Sequence, residues 1–322
     1  MKTLLVRMSS MGDLIHTLPA VDDLSRMRPD VELHWLCEAG FADIARLHPF
    51  VREVHIVRWR QWRKELLRAD TWRALGGLRS GLRSAHFDCV LDSQGLFKSA
   101  LFSCVAGAPV WGLDSGSARE GGAAAFYQRS FAVAKGLDAV LRNRMLFAQA
   151  FSYEMPEEMR FGVVVPEAGF LPNLPERYYV ALHATSRDSK LWRQDYWLDL
   201  MRRLYESDGG ITYLPWGNET ERLRAQQMAE QLPYAKVCDR LTLLQAAYLL
   251  RGAQGVVGVD TGLLHLANAL DKPLVGIYTD TDPKKTGVQI SARAVNVGGE
   301  GLMPEVGEVF NLLKQGMAAA VL

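Results

Sequence analysis

The chain has 322 residues, 48% of them hydrophobic and 23% charged, and its 37 Lys and Arg against 36 Asp and Glu leave a net charge of +1. Such proportions exclude a disordered or fibrous chain, and the balanced charge argues against a dedicated nucleic-acid binder. The length exceeds what one hydrophobic core usually serves, so two α/β domains with a cleft between them are expected. Four widely spaced cysteines, Cys37, Cys89, Cys104 and Cys238, fit buried thiols in a reducing compartment. The residues after Met1 form no signal-peptide core, and no stretch approaches the roughly 20 apolar residues of a membrane span, so a cytoplasmic protein is expected.

Short apolar runs alternate with amphipathic stretches of helical length, the pattern of parallel strands joined by crossover helices. Strands are expected at 4–8, 33–37, 54–57 and 88–91, and a first helix at 14–27 with Leu14, Leu18, Val21 and Leu24 on one face. Three prolines between Val165 and Pro175 mark a linker and place the domain boundary after residue 165. Further strands are expected at 179–183, 211–214, 236–238, 255–259 and 273–278. The last stretch, 303–322, is helical in pattern, with Val306, Val309, Phe310, Leu313 and Met317 on one face.

Four segments carry candidate chemistry. Ser9-Ser10-Met11-Gly12-Asp13 follows the first strand, where open α/β sheets bind ligands. Asp13 there either caps the next helix or serves as a general base toward an acceptor hydroxyl. Only Gly12 is available for the three-glycine dinucleotide turn, which disfavours a dehydrogenase. His183 to Trp192 follows the first strand of the second half, and its Thr185, Ser186 and Lys190 can hold an anion or form an ordinary solvated loop.

Asp260-Thr261-Gly262 turns a strand into a helix whose first N–H groups favour a diphosphate, or it is only a cap, while His265 on that helix reads as a core histidine. Between Arg58 and Ala85, eight Arg and Lys face only Glu65 and Asp70 and interleave with Trp59, Trp62 and Trp72. This composition suits an anionic lipid surface or a phosphorylated substrate, or a merely solvated face. The seven histidines are dispersed and no C-x-x-C occurs, so no metal site is expected, and Asp280-Thr281-Asp282 beside Pro283 reads as a turn.

Together, these segments with His16-Thr17-Leu18-Pro19-Ala20, Asp92 to Ser99 and Leu214-Pro215-Trp216-Gly217 resemble the lipopolysaccharide heptosyltransferases, and more closely the members that add the first heptose. The resemblance implies a GT-B fold of two Rossmann-like domains facing across a cleft. Residues 1–165 would take the acceptor and 166–302 the sugar nucleotide, with the helix 303–322 packing back on the first domain. It implies ADP-heptose as donor, the Kdo of Kdo2-lipid A as acceptor, inversion at the anomeric carbon, no required cofactor or metal, and no nucleic-acid partner. A monomer bound peripherally to the cytoplasmic face of the inner membrane is expected.

By position, Asp13 resembles the general base and Lys190, with Thr185 and Ser186, the diphosphate ligands. Glu221 corresponds to the ribose contact, Trp216 and Gly217 to the nucleoside pocket, and Gly12, Asp260, Thr261, Gly262 and His265 to the remaining donor site. Ser10, Arg58, Arg60, Arg63, Lys64, Gln94, Lys98 and Arg119 would meet the acidic acceptor. Thr279-Asp280 stands where relatives usually carry Gly-Pro, which leaves that loop's part in the donor pocket open. Rival readings are a type II heptosyltransferase or another ADP-sugar transferase, and a non-catalytic nucleotide- or lipid-binding protein.

Overall fold

The computed structural model describes residues 1–185 and 187–319. It divides into two compact units, Met1–Val164 and Val165–Leu322. The N-terminal unit runs β1 (Lys2–Val6), α1 (Met11–Ile15), α2 (Leu18–Met27), β2 (Glu32–Glu38), α3 (Ala42–Arg46), β3 (Val51–Val57), α4 (Trp59–Trp62) and α5 (Ala69–Ser84). It continues through β4 (Cys89–Asp92), α6 (Phe97–Val105), β5 (Val110–Leu113), β6 (Arg129–Phe131) and α7 (Ala139–Phe151). Its six strands lie in the order β3-β2-β1-β4-β5-β6 and pair in parallel. Parallel strands need long crossovers, and the helices between them supply these while covering the sheet.

The C-terminal unit runs β7 (Tyr178–Leu182), α8 (Gln194–Asp208), β8 (Ile211–Leu214), α9 (Glu219–Ala229), β9 (Ala235–Val237) and α10 (Leu243–Gly252). Then follow β10 (Gly255–Val259), α11 (Gly262–Ala269), β11 (Leu274–Tyr278), α12 (Pro283–Thr286), β12 (Ala294–Gly298) and α13 (Val306–Ala318). Its order, β12-β11-β10-β7-β8-β9, repeats that of the first sheet. In each unit the order therefore reverses beside the first strand, between β1 and β4 and between β7 and β10. Ligands of doubly wound sheets sit at that reversal.

Local chemistry explains where the elements depart from expectation. The expected helix 14–27 is two helices, because Pro19 has no N–H and fits the first turn of α2, while the Thr17 hydroxyl donates to the Asp13 carbonyl at 2.9 Å. Three strands carried too little pattern to be anticipated. β6 is three residues of an edge, β5 contains Gly112, and β12 ends on Gly298. A Cβ at Gly112 would fall 2.5 Å from the Tyr127 ring, so only glycine admits that ring against β5.

The final helix corrects the expectation that residues 303–322 return to the N-terminal domain. Val306, Val309 and Leu313 are buried in the core of the C-terminal unit, with Phe310 and Met317 half-buried beside them. A Cβ on Gly255 would lie 3.0 Å from Leu313, and Lys314 pairs with Asp208 of α8 at 3.1 Å. The buried face is the one the apolar pattern marks, but a face alone does not say which sheet it covers; residues 320–322 lie outside the described residues.

Candidate functional site

Asp13 sits in the first turn of α1, just beyond the carboxyl end of β1. Its Oδ2 accepts from the Ser10 backbone N–H at 2.9 Å and from the Ser10 hydroxyl at 3.1 Å. The other carboxylate oxygen faces Arg7 at 3.5 Å and Arg119 at 3.7 Å, while the side chain stays 17% exposed. Capping occupies only one of the two oxygens: Ser10 orients it, and the second faces two guanidiniums. Burial alone would raise the Asp13 pKa, but Arg7, the Ser10 N–H and Arg119 outweigh it and hold the carboxyl below the usual aspartate range. Asp13 is ionised at neutral pH. Burial pushes neighbouring His16 down to about 4, so that imidazole is neutral there.

A pocket opens around this carboxylate, lined by Arg7, Gln94, Arg119, Arg142 and Asn143 among others. Its rear wall is held by hydrogen bonds. Arg7 is buried and donates to the Ser93 carbonyl, and the Gln94 amide oxygen accepts from Met8 N–H at 2.9 Å. Behind Gln94, the buried Asp92 carboxylate at the end of β4 accepts from the N–H groups of Gln94 at 2.9 Å and Gly95 at 3.2 Å. It also accepts from Ser99 Oγ at 2.8 Å and Tyr127 OH at 2.9 Å. Asp92 thus shapes the loop. Arg142, on α7, is fixed by donating to the Ser117 carbonyl at 2.6 Å. Three guanidiniums and one carboxylate make a pocket that attracts an anion and leaves one carboxylate oxygen among the cations.

The C-terminal unit builds a second cluster at its own strand-order reversal. Lys190, in a short 3-10 turn after β7, donates to Asp260 Oδ2 at 2.6 Å, and Thr281 Oγ1 donates to the same oxygen at 3.0 Å. The Thr185 hydroxyl donates to the Asp260 carbonyl at 2.7 Å. Thr261 caps α11 without a side-chain hydrogen bond, so Thr261 and Gly262 carry the helix start beside Asp260; His265 is buried within that helix. The helix-start N–H groups have no intrahelical acceptor, and the dipole there favours negative charge.

The loop that departs from the usual pattern joins this cluster. Thr279 donates to the Ser189 carbonyl at 2.9 Å, and Ser189 donates to Asp280 at 2.6 Å. Asp282 caps α12 by accepting from Lys284 N–H at 3.0 Å, the turn expected of Asp280-Thr281-Asp282.

A separate network stands at the end of β8. Glu221 accepts from Gly217 N–H at 2.7 Å and from the Asn218 amide at 2.7 Å, and Trp216 Nε1 donates to the Cys238 carbonyl at 2.7 Å.

The structure thus gathers Asp13, Gln94 and Arg119 around one pocket, with Ser10 bonded to Asp13, Gly12 in the same turn of α1 and Lys98 reaching Ser9 at 3.4 Å. It joins Thr185, Lys190 and Asp260 in one network and Gly217 with Glu221 in another. Ser186 lies outside the described residues. Arg60 donates its backbone N–H to Glu38 at 3.1 Å and lays its guanidinium 5.0 Å over Phe41. Among the described residues, none of Arg58, Arg63 and Lys64 hydrogen-bonds to the Asp13 cluster. Arg7, Arg142, Asn143 and Thr281 escaped the sequence reading. Only the position of Arg7 directly after β1 was a signal.

The glycosyltransferase family 9 (heptosyltransferase) profile matches residues 76–314. Lipopolysaccharide heptosyltransferase 1 of Pseudomonas aeruginosa is 44% identical over 293 residues, covering 89% of this chain and 81% of that protein. The Escherichia coli heptosyltransferase WaaC solved with ADP superposes with a TM-score of 0.90 at 37% identity, over 98% of this chain and 100% of that one. A WaaC structure with ADP-2-deoxy-2-fluoro heptose superposes at 0.86, again at 37% identity, over 99% and 100%. Matches of this extent and identity, with both sheets in the same strand order and a polar cluster at each reversal, place the chain in glycosyltransferase family 9, the heptosyltransferases.

Proposed function

We propose that this glycosyltransferase moves L-glycero-D-manno-heptose from ADP-heptose to the Kdo of Kdo2-lipid A. The observation that carries the reading is the ionised Asp13 carboxylate, oriented by Ser10 and set among Arg7, Arg119 and Arg142. Kdo is an acidic sugar, so the guanidiniums would bind its carboxylate while Asp13 takes the proton of the attacking hydroxyl. The hydroxyl oxygen forms a bond to the anomeric carbon of heptose as the bond to the ADP oxygen breaks, with inversion.

Lys190, Thr185 and the helix start at Thr261 and Gly262 would hold the diphosphate, and Trp216, Gly217 and Glu221 the nucleoside. Lys190 is already neutralised by Asp260, so an incoming diphosphate must compete for it, and Asp260 is left to accept from sugar hydroxyls. Peripheral contact with an anionic membrane is part of this reading. Leu67 is fully exposed and Trp72 mostly so within the arginine-rich segment, and no helix among the described residues is long and apolar enough to cross a bilayer. ADP release from ADP-heptose is the test. Release that requires Kdo2-lipid A supports the reading, whereas binding without turnover would leave a nucleotide-binding protein, and turnover only on an already heptosylated acceptor would make it a type II enzyme.

A further inference from the structure

Two Glu-x-His tripeptides, Glu32-Leu33-His34 and Glu53-Val54-His55, stand on neighbouring strands. The two-residue period of a strand puts the Glu and the His of each on one face. β2 and β3 pair in parallel with His34 opposite Glu53 and Leu36 opposite His55, so residues that are dispersed in sequence converge. His34 Nδ1 lies 3.1 Å from His55 Nε2 and 3.5 Å from Glu53 Oε2, and one ligating atom from each of the three lies within 4.8 Å of the others. The imidazoles stack at 5.3 Å and 14°, and Phe87 meets both rings edge-on.

We propose that His34, His55 and Glu53 bind a zinc-type divalent transition ion at the β2–β3 edge of the N-terminal sheet. Two imidazole nitrogens and a carboxylate oxygen are three ligands of a tetrahedral set whose fourth position takes water. With Zn–N bonds near 2.0–2.1 Å, tetrahedral geometry separates two nitrogens by about 3.3 Å, so the ring pair needs to open by only a few tenths of an ångström. The Glu32 carboxylate accepts from His34 Nε2 at 2.8 Å, which fixes the tautomer and points the Nδ1 lone pair at the site. Without metal that lone pair accepts from His55 Nε2–H, and binding moves the His55 proton to Nδ1. Glu32 and His34 pair with Lys2 and Leu4, in the first half of β1, whereas Asp13 follows its end. The ion therefore ties edge strand β3 to β2 and takes no part in transfer.

The test is calorimetric titration of the untagged, chelator-treated full chain with Zn2+, alongside thermal unfolding. The expected result is one saturable site that raises the unfolding midpoint. Glu53→Gln, on an exposed side chain that should not disturb folding, and His55→Gln should each weaken binding by tenfold or more. Glu32→Gln should keep the stoichiometry and weaken binding about 10–100-fold, the usual effect of losing an outer partner. No saturable site in the wild type, or affinity unchanged in both Glu53→Gln and His55→Gln, overturns the proposal and leaves a hydrogen-bonded, stacked histidine pair.

Discussion

The two units use one strand order to opposite electrostatic ends. At the reversal between β1 and β4, the Asp13 carboxylate is set among Arg7, Arg119 and Arg142, with Asp92 buried behind them. At the reversal between β7 and β10, a single lysine, Lys190, is held by the Asp260 carboxylate and surrounded by hydroxyls. One sheet topology thus carries a carboxylate among guanidiniums in one half and a lysine paired with a carboxylate in the other. The side chains that differ come from the loops and helix starts after the strands, with Arg142 added from α7, and the sheet fixes where they emerge.

The largest expected effect separates the two clusters. Asp13→Ala should lower kcat by about two to four orders of magnitude, the range for losing general-base catalysis, while ADP binds with unchanged affinity. A parallel loss of ADP affinity would make Asp13 part of donor binding and erase the contrast. Leu313→Ala should destabilise the C-terminal unit by about 2–5 kcal/mol, read as loss of hydrogen-exchange protection in β10 and β11 and not in β1 and β4. Loss confined to β1 and β4 would return the final helix to the first unit.

Burial pushes His183, fully enclosed after β7, down to about 4 from an ordinary 6.5. An unfolded chain takes up that proton first, so stability falls as pH drops from 6.5 toward 4, by about 3 kcal/mol for this group. His183→Gln should flatten that decline, as followed by urea midpoints. The smallest effect is on the paired lysine: Lys190→Ala should weaken ADP binding about 10–150-fold, the worth of one charged hydrogen bond. Unchanged ADP affinity would move the diphosphate elsewhere.

Legibility in the sequence follows physical cause. β1, β2, β7, β10 and β11 were readable because buried parallel strands are near-continuous apolar runs, and each reversal loop announced itself by small residues before a helix. β6 was not readable, since three edge residues of mixed polarity carry no period. Asp13 and Lys190 stood out because their loops follow strands. Arg142 did not, because it reaches the pocket from α7, and nothing in a helix's sequence marks which arginine faces a cavity. His34 and His55 are 21 residues apart and meet only through strand pairing, with a register shift between Leu33 and His34 that no local pattern reveals.

Mass spectrometry of the lipid product after incubation with ADP-heptose and Kdo2-lipid A tests the central claim most directly. Wild-type enzyme should add one heptose to Kdo, and Asp13→Asn, still saturated with ADP-heptose, should form almost none. Product formation by Asp13→Asn at the wild-type rate, or no heptosylated lipid from the wild type, would contradict it.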